Sequence, residues 1–214
     1  PAYGSSTPVA PRSVIILFIA LLFGLATPFG IIYLMEILDT TIRGRKDIED
    51  KLSIPFLGDI PEYHGSTRQG SVVVRDNGRD SVSEAFRLIR SNLGFMSVKS
   101  GKLQIIMVTS SDPHAGKTFV TTNLAMTLAL ADKKVVIVDL DLRRRTLSKQ
   151  MGQRDNRNGV SGYISGTIAN LNDIVFQSGL HENLDIIFAG LQPPNPAEML
   201  LSEKFDEFMA DLRK

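Results

Sequence analysis

A chain of 214 residues, 43% hydrophobic and 22% charged, has room for one α/β domain and an appendage rather than a single compact fold using every residue. Its net charge of +1 supplies no bulk field to attract nucleic acid or an acidic partner. The absence of cysteine excludes disulfides and thiolate metal sites, and three histidines, His64, His114 and His181, with no i, i+4 pairing argue against zinc.

The first element in chain order is apolar. Val14 to Met35 carries no charge and would span about 33 Å as a helix, which matches a bilayer core. The apolar region of a secretory signal is shorter, about 7 to 15 residues. A buried core helix is the other candidate, and continuous apolarity all round makes it a poor one. Pro28 would kink the span, which membrane helices tolerate. Arg12 lies on its amino side in the Pro/Ser-rich stretch PAYGSSTPVAPRS, and Arg43, Arg45, Lys46 and Lys51 lie on its carboxyl side. That excess of positive charge places the carboxyl side in the cytoplasm.

Ser53 to Gly78 is rich in proline and glycine signals and reads as a linker. Asp80 to Met96 is predicted to be a helix that buries Val82, Ala85, Phe86, Ile89, Leu93 and Met96. Leu103 to Thr109, Val135 to Val138 and Leu184 to Ala189 read as short buried strands, with helical segments over 119–131 and around 171–177. That alternation predicts an α/β fold with a parallel sheet flanked by helices, whose ligands bind at the carboxyl ends of the strands. The expected divisions are 1–12, a membrane helix over 13–36, a juxtamembrane segment and linker over 37–79, and a nucleotide-binding domain over 80–214. The chain lacks an initiating methionine and stops in a helical pattern at Lys214, as a fragment of a longer protein would.

The chemistry sits at two strand ends. Ser110 to Thr118 reads SSDPHAGKT, a phosphate-binding loop between an apolar run and a helix opening at Lys117. Loop amides and the positive helix end converge on one point, where a nucleotide polyphosphate can sit. Ser111, Asp112, Pro113, His114, Ala115, Gly116, Lys117, Thr118 and Phe119 are the candidate nucleotide-binding residues. Lys117 would reach the β- and γ-phosphates and the Thr118 hydroxyl would ligate Mg²⁺. The loop departs from G-x-x-x-x-G-K-[ST]: Ser111 takes the first glycine's place, and Pro113 removes an N–H donor. At the end of the second strand, Asp139 and Asp141 are spaced i, i+2, which suits a metal ion and a reacting hydroxyl.

Together these features resemble the bacterial tyrosine kinases of the capsule and exopolysaccharide chain-length family (Wzc type, BY-kinases). SSDPHAGKT is similar to that family's variant Walker A, internal proline included. VVIVDLDLR is similar to its second motif, and GLQPPNPAEML, Gly190 to Leu200, to its loop and helix start after the next strand. The resemblance implies a P-loop NTPase-like fold behind one transmembrane helix, with 1–12 as the end of a periplasmic chain-length module. The implied activity is ATP- and Mg²⁺-dependent tyrosine autophosphorylation controlling polysaccharide polymerisation and export at the bacterial inner membrane, with the kinase domain in the cytoplasm. Lys117 and the loop amides would stabilise γ-phosphoryl charge, and Thr118 and Asp141 would hold Mg²⁺. Asp139 would accept the tyrosine proton or share the metal. Arg143 would organise the site, form a structural ion pair or belong to a solvated run through Arg145.

Glu84, Arg87 and Arg90 match the family's Glu-x-x-Arg-x-x-Arg motif, which implies contact between neighbouring copies in a ring. Read without the family, Ser81 to Glu84 is a capping box and the arginines a solvated face. The implied partners are further copies of the chain, a neighbour's tyrosine-rich tail, the polysaccharide machinery and the membrane, with no nucleic acid. The family's Asp-x-Pro-Pro strand and tyrosine cluster are not found in these 214 residues. Two rivals remain: a partition-type ATPase switch and a non-catalytic chain-length scaffold. The first usually carries an extra lysine near the loop start, where Ser110, Ser111 and Asp112 stand here.

Overall fold

The computed structural model describes residues 13–42, 44–50, 52–63, 72–97, 103–113, 115–151 and 158–213. The 1–12 segment with Arg12, and Arg43, Lys51, His64 and His114, lie outside the described residues. Contacts divide the chain into two units, Pro1–Phe56 and Leu57–Lys214.

In the first unit, α1 (Ser13–Leu38) is a 26-residue helix, long and apolar enough to cross a membrane, and none of its residues is buried by protein. Pro28 lies inside it, and the Thr27 hydroxyl donates to the Phe23 carbonyl at 2.6 Å. A short helix, α2 (Arg45–Glu49), follows; the Arg45 guanidinium pairs with Glu49 at 2.7 Å and lies 5.6 Å from the centre of the Phe56 ring.

The second unit is an α/β domain built on a three-stranded sheet. Its elements are α3 (Ser81–Ser97), α4 (Lys117–Ala129), β1 (Val135–Val138), α5 (Thr146–Gln150), α6 (Val160–Ile164), β2 (Val175–Gln177), β3 (Leu184–Ile187), α7 (Pro196–Leu200) and α8 (Glu203–Asp211). Strand order is β1-β3-β2; β1 runs parallel to β3, with Val135 opposite Leu184 and Val138 opposite Ile187. Alternation along β3 and its extension divides the core between the two sheet faces. Leu184, Ile186 and Phe188 join Phe86 and Ile89 of α3, Leu124 and Met126 of α4, and Ile137. Ile187 and Ala189 join Val160 and Ile164 of α6, Ile174 and Phe208 of α8.

Several expectations change. The 103–109 run forms no strand: its apolar side chains from Leu103 to Met107 are exposed, Met107 to 82%, Val108 is half-buried, and the run has no ladder partner among the described residues. A lone extended segment leaves its backbone groups to water, so apolarity alone does not make it a strand. The helix expected around 171–177 is a 3₁₀ turn over Leu171–Ile174 followed by β2, which adds antiparallel to β3 as an edge strand. Met96 is 44% exposed, unlike Val82, Phe86 and Ile89 on the same helix. The compact unit also begins before residue 80. Val73 and Val74 are core residues, and both of their amides donate to the buried Asn123 Oδ1, at 2.8 and 3.1 Å.

Candidate nucleotide and phosphoryl-transfer site

The phosphate loop leads directly into α4. Gly116 caps that helix with φ 87°, a left-handed conformation that favours glycine, and Lys117 is the first helical residue. The Lys117 ammonium folds back onto its own loop, donating to Ser110 Oγ at 2.8 Å and to the Asp112 carbonyl at 3.4 Å. Ser110 Oγ in turn donates to the Asp112 carbonyl at 2.8 Å, and Ser111 Oγ to Asp112 Oδ2 at 3.3 Å. Ser111, Asp112, Pro113 and Ala115 are exposed, while Gly116, Lys117, Thr118 and Phe119 are half-buried. The Thr118 carbonyl accepts from Thr122 at 2.7 Å; among the described residues its hydroxyl makes no hydrogen bond. Phe119 packs against Phe86 with ring centres 6.0 Å apart, which fixes the first turn of α4 on α3.

The second motif leaves the carboxyl end of β1. Asp139 continues the ladder, its N–H donating to the Ile187 carbonyl at 2.9 Å, and its side chain turns inward until the residue is 7% exposed. Its carboxylate accepts the Asp141 N–H at 3.1 Å and the Ser148 hydroxyl at 3.4 Å. Burial, helped by the neighbouring Asp141 charge, outweighs these bonds and raises the Asp139 pKa to about 6. Asp141 is exposed and organises the following turn, accepting the Arg144 N–H at 3.0 Å and the Thr146 hydroxyl at 3.4 Å. Arg143 is exposed on that turn.

These donors suit a hard, oxygen-seeking cation. Among the described residues, no group of three His, Cys, Asp or Glu side chains could hold a metal alone. Mg²⁺ takes one or two carboxylates and completes its shell with phosphate oxygens and water, so the Asp141 carboxylate and the Thr118 hydroxyl have the donor chemistry such an ion would need.

The residues expected between neighbouring copies are engaged within the chain. Asp80, not Ser81, caps α3: its carboxylate accepts the Ser83 N–H at 2.9 Å and the Ser83 hydroxyl at 2.6 Å, and these bonds, the hydroxyl's first, hold its pKa below the ordinary value. Glu84 instead pairs along the helix with Arg87, which also reaches the carbonyls of Arg75 and Asp76 at 3.5 and 3.4 Å. Arg90 donates to the Thr127 carbonyl near the end of α4 at 3.0 Å. Ser110, at the start of the phosphate loop, holds Lys117, and Ser148, which belongs to no motif of the sequence, holds Asp139; only the turn geometry brings Ser148 to that carboxylate.

The CobQ/CobB/MinD/ParA nucleotide binding domain family matches residues 106–209. The tyrosine-protein kinase Etk of Escherichia coli K12 is 27% identical over 228 residues, covering 98% of this chain and 31% of that protein. Two solved structures are similar. The chimerical protein CapA2B2 is 31% identical with a TM-score of 0.68, over 78% of this chain and 69% of that one. The kinase domain of Escherichia coli Etk is 29% identical with a TM-score of 0.69, over 80% and 69%. The chain spans 29% of the length of a Klebsiella pneumoniae relative described as a putative tyrosine-protein kinase in cps region, and 31% of that of Etk. With a variant phosphate loop opening α4, an Asp-x-Asp pair at the end of β1 and these relatives, the chain belongs to the bacterial tyrosine kinase (BY-kinase) family.

Proposed function

We propose that this chain carries the membrane helix and most of the catalytic domain of an ATP- and Mg²⁺-dependent protein tyrosine kinase. It would act in capsular or exopolysaccharide polymerisation and export, with α1 in the inner membrane and the catalytic unit in the cytoplasm. The observation that carries this reading is the pairing of a phosphate loop capped by left-handed Gly116 with a buried carboxyl at the end of β1 that titrates near neutrality. A general base works best with a pKa near the working pH, and Asp139 at about 6 meets that requirement.

Phosphoryl transfer asks the protein for positioning and charge neutralisation. Lys117 exchanges Ser110 Oγ and the Asp112 carbonyl for phosphoryl oxygens, and the amides of the 111–119 loop share that charge. Thr118 and Asp141 would hold the cation, which would supply charge neutralisation to the polyphosphate. Asp139 takes the proton from the acceptor tyrosine hydroxyl, and Ser148 holds its carboxylate in place. Arg143 stands beside the same strand end. Glu84, Arg87 and Arg90 belong to the contact between copies in a ring, each copy presenting a tyrosine-rich tail to its neighbour. In that contact Glu84 and Arg87 trade their intrahelical pair for partners on the next copy.

The test is phosphotyrosine formation on a supplied tyrosine-rich tail by the full-length protein with ATP and Mg²⁺, beside Lys117→Met. Labelling by the wild type and its loss in the variant are expected. ATP hydrolysis without phosphotyrosine would turn the assignment to a partition-type switch, and neither activity would turn it to a scaffold. A reporter active only in the cytoplasm should work when fused after Lys51 and fail before Arg12.

A further inference from the structure

After Asp141 and the buried Leu142 the chain places three arginines in succession, Arg143, Arg144 and Arg145, on a turn fixed from both sides. Asp141 holds one side through the Arg144 N–H and the Thr146 hydroxyl, and the Arg145 N–H closes back on the Asp141 carbonyl at 2.8 Å. Arg145 holds the other side, its guanidinium donating to the Gly190 carbonyl at 3.3 Å, just beyond β3. Arg145 has φ 51°, a left-handed conformation that costs a non-glycine residue about 1 kcal/mol or more, so the surrounding bonds impose this turn. The turn therefore stands at the carboxyl ends of β1 and β3.

What it presents is positive charge without an ion-pair partner among the described residues. Arg143 and Arg144 are exposed, and their guanidinium groups make no hydrogen bond or ion pair among the described residues. The Lys149 ammonium on α5 is exposed and equally unpaired. Of the carboxylates just before the turn in sequence, Asp139 is buried and bonded to the Asp141 N–H and Ser148, and Asp141 is bonded to the turn itself. Guanidinium groups bind carboxylate and phosphate through paired, charge-assisted hydrogen bonds, and cations fixed beside a reacting centre select for anions on what approaches it.

We propose that Arg144 and Lys149, with Arg143, form the acceptor-docking surface of the kinase and select tyrosines flanked by anionic groups. This rests on the kinase reading above and names its substrate class. Two sources share that chemistry: Asp or Glu side chains beside the acceptor, and tyrosines phosphorylated in an earlier round.

The experiment uses the full-length protein in neutral-lipid nanodiscs with saturating ATP and Mg²⁺. Three peptides carry the acceptor tyrosine between glutamates, glutamines or phosphotyrosines. The expected KM for the glutamate and phosphotyrosine peptides is about tenfold below that for the glutamine peptide, the sum of two modest charge pairs. Arg144→Gln with Lys149→Gln should raise KM for both anionic peptides to the glutamine value while kcat is retained. Charge reversal at Arg144→Glu should make a lysine-flanked peptide the preferred one. A glutamate preference without a phosphotyrosine preference assigns the surface to acidic sequence, and the opposite result assigns it to sequential phosphorylation. Turnover with equal KM for all peptides overturns the docking surface and leaves the kinase reading standing. No turnover on any peptide while the protein hydrolyses ATP overturns both.

Discussion

Two apolar runs of similar composition end in the two motifs of this site, and they fold differently. Val135–Val138 becomes β1, hydrogen-bonded to β3, with Ile137 in the core. Leu103 to Met107 stays extended, exposed and outside the sheet. A strand is therefore a property of a pair: a run supplies apolar side chains, and a neighbour with a free edge decides whether they are buried. The motifs follow suit. Asp139 inherits burial and a raised pKa from its strand, whereas the phosphate loop is held by hydroxyl and ammonium bonds on an exposed surface.

The largest effect should separate chemistry from stability. Lys117→Met in the full-length protein is expected to lower phosphoryl transfer by about 10²- to 10³-fold or more while leaving the thermal midpoint nearly unchanged, because the lysine bonds only to its own loop. Wild-type turnover in that variant would remove the loop from the mechanism.

Burial should dominate at β1. Ile137→Ala is expected to cost about 2 to 5 kcal/mol in denaturant unfolding of the 214-residue chain in detergent, because the lost side chain leaves a cavity between β1 and α4.

Asp139→Asn should act in opposite directions on the two properties. A carboxyl that titrates at about 6 in the folded chain and 3.8 ordinarily destabilises the fold when ionised, by about 3 kcal/mol at most. The stability it contributes is fully present below pH 3.8 and lost as pH rises through about 6. At pH 7.5 the asparagine variant should therefore melt higher than the wild type, with the gap closing as pH falls from about 7 towards 4. Its Mg²⁺-dependent turnover should fall at the same time. Parallel melting curves across that range would show that burial does not control this carboxyl.

The smallest effect should be at the exposed run. Ile106→Ser is expected to cost less than about 0.5 kcal/mol in the 214-residue chain. A cost matching that of Ile137→Ala in a longer form of the protein would show that the run gains its partner from residues outside these 214.

How much of this could be read in advance follows the same division between local and paired features. Gly116 before Lys117-Thr118 marks a helix start, and α4 begins at Lys117. Val135–Val138 is flanked by Lys133-Lys134 and Asp139, and β1 has those bounds. The antiparallel edge strand β2 was not legible, because three residues carry too little periodicity to tell a strand from a helical turn. Nor was Asp80 as the cap of α3, since Ser81 fits the same capping pattern and only the bonds to Ser83 distinguish them. At the site, the sequence marked Lys117, Asp139 and Asp141. It placed Ser110 in the phosphate loop without its bond to Lys117 and did not mark Ser148; they reach Lys117 and Asp139 across seven and nine residues. For Arg90 it did not mark the bond to the Thr127 carbonyl, which fastens α3 to the far end of α4 within the chain.

The Asn123 side chain bears on how this domain opens to solvent. Val73 and Val74 belong to no strand, yet both amide protons end on one buried oxygen, and the same side chain donates to the Phe119 carbonyl at 2.9 Å in the first turn of α4. Hydrogen–deuterium exchange at these two amides therefore requires α4 to separate from the segment, so they should exchange on the slow timescale of the core helix rather than that of a loop. Exchange as fast as at neighbouring exposed Arg75 would mean that the segment detaches independently of the core.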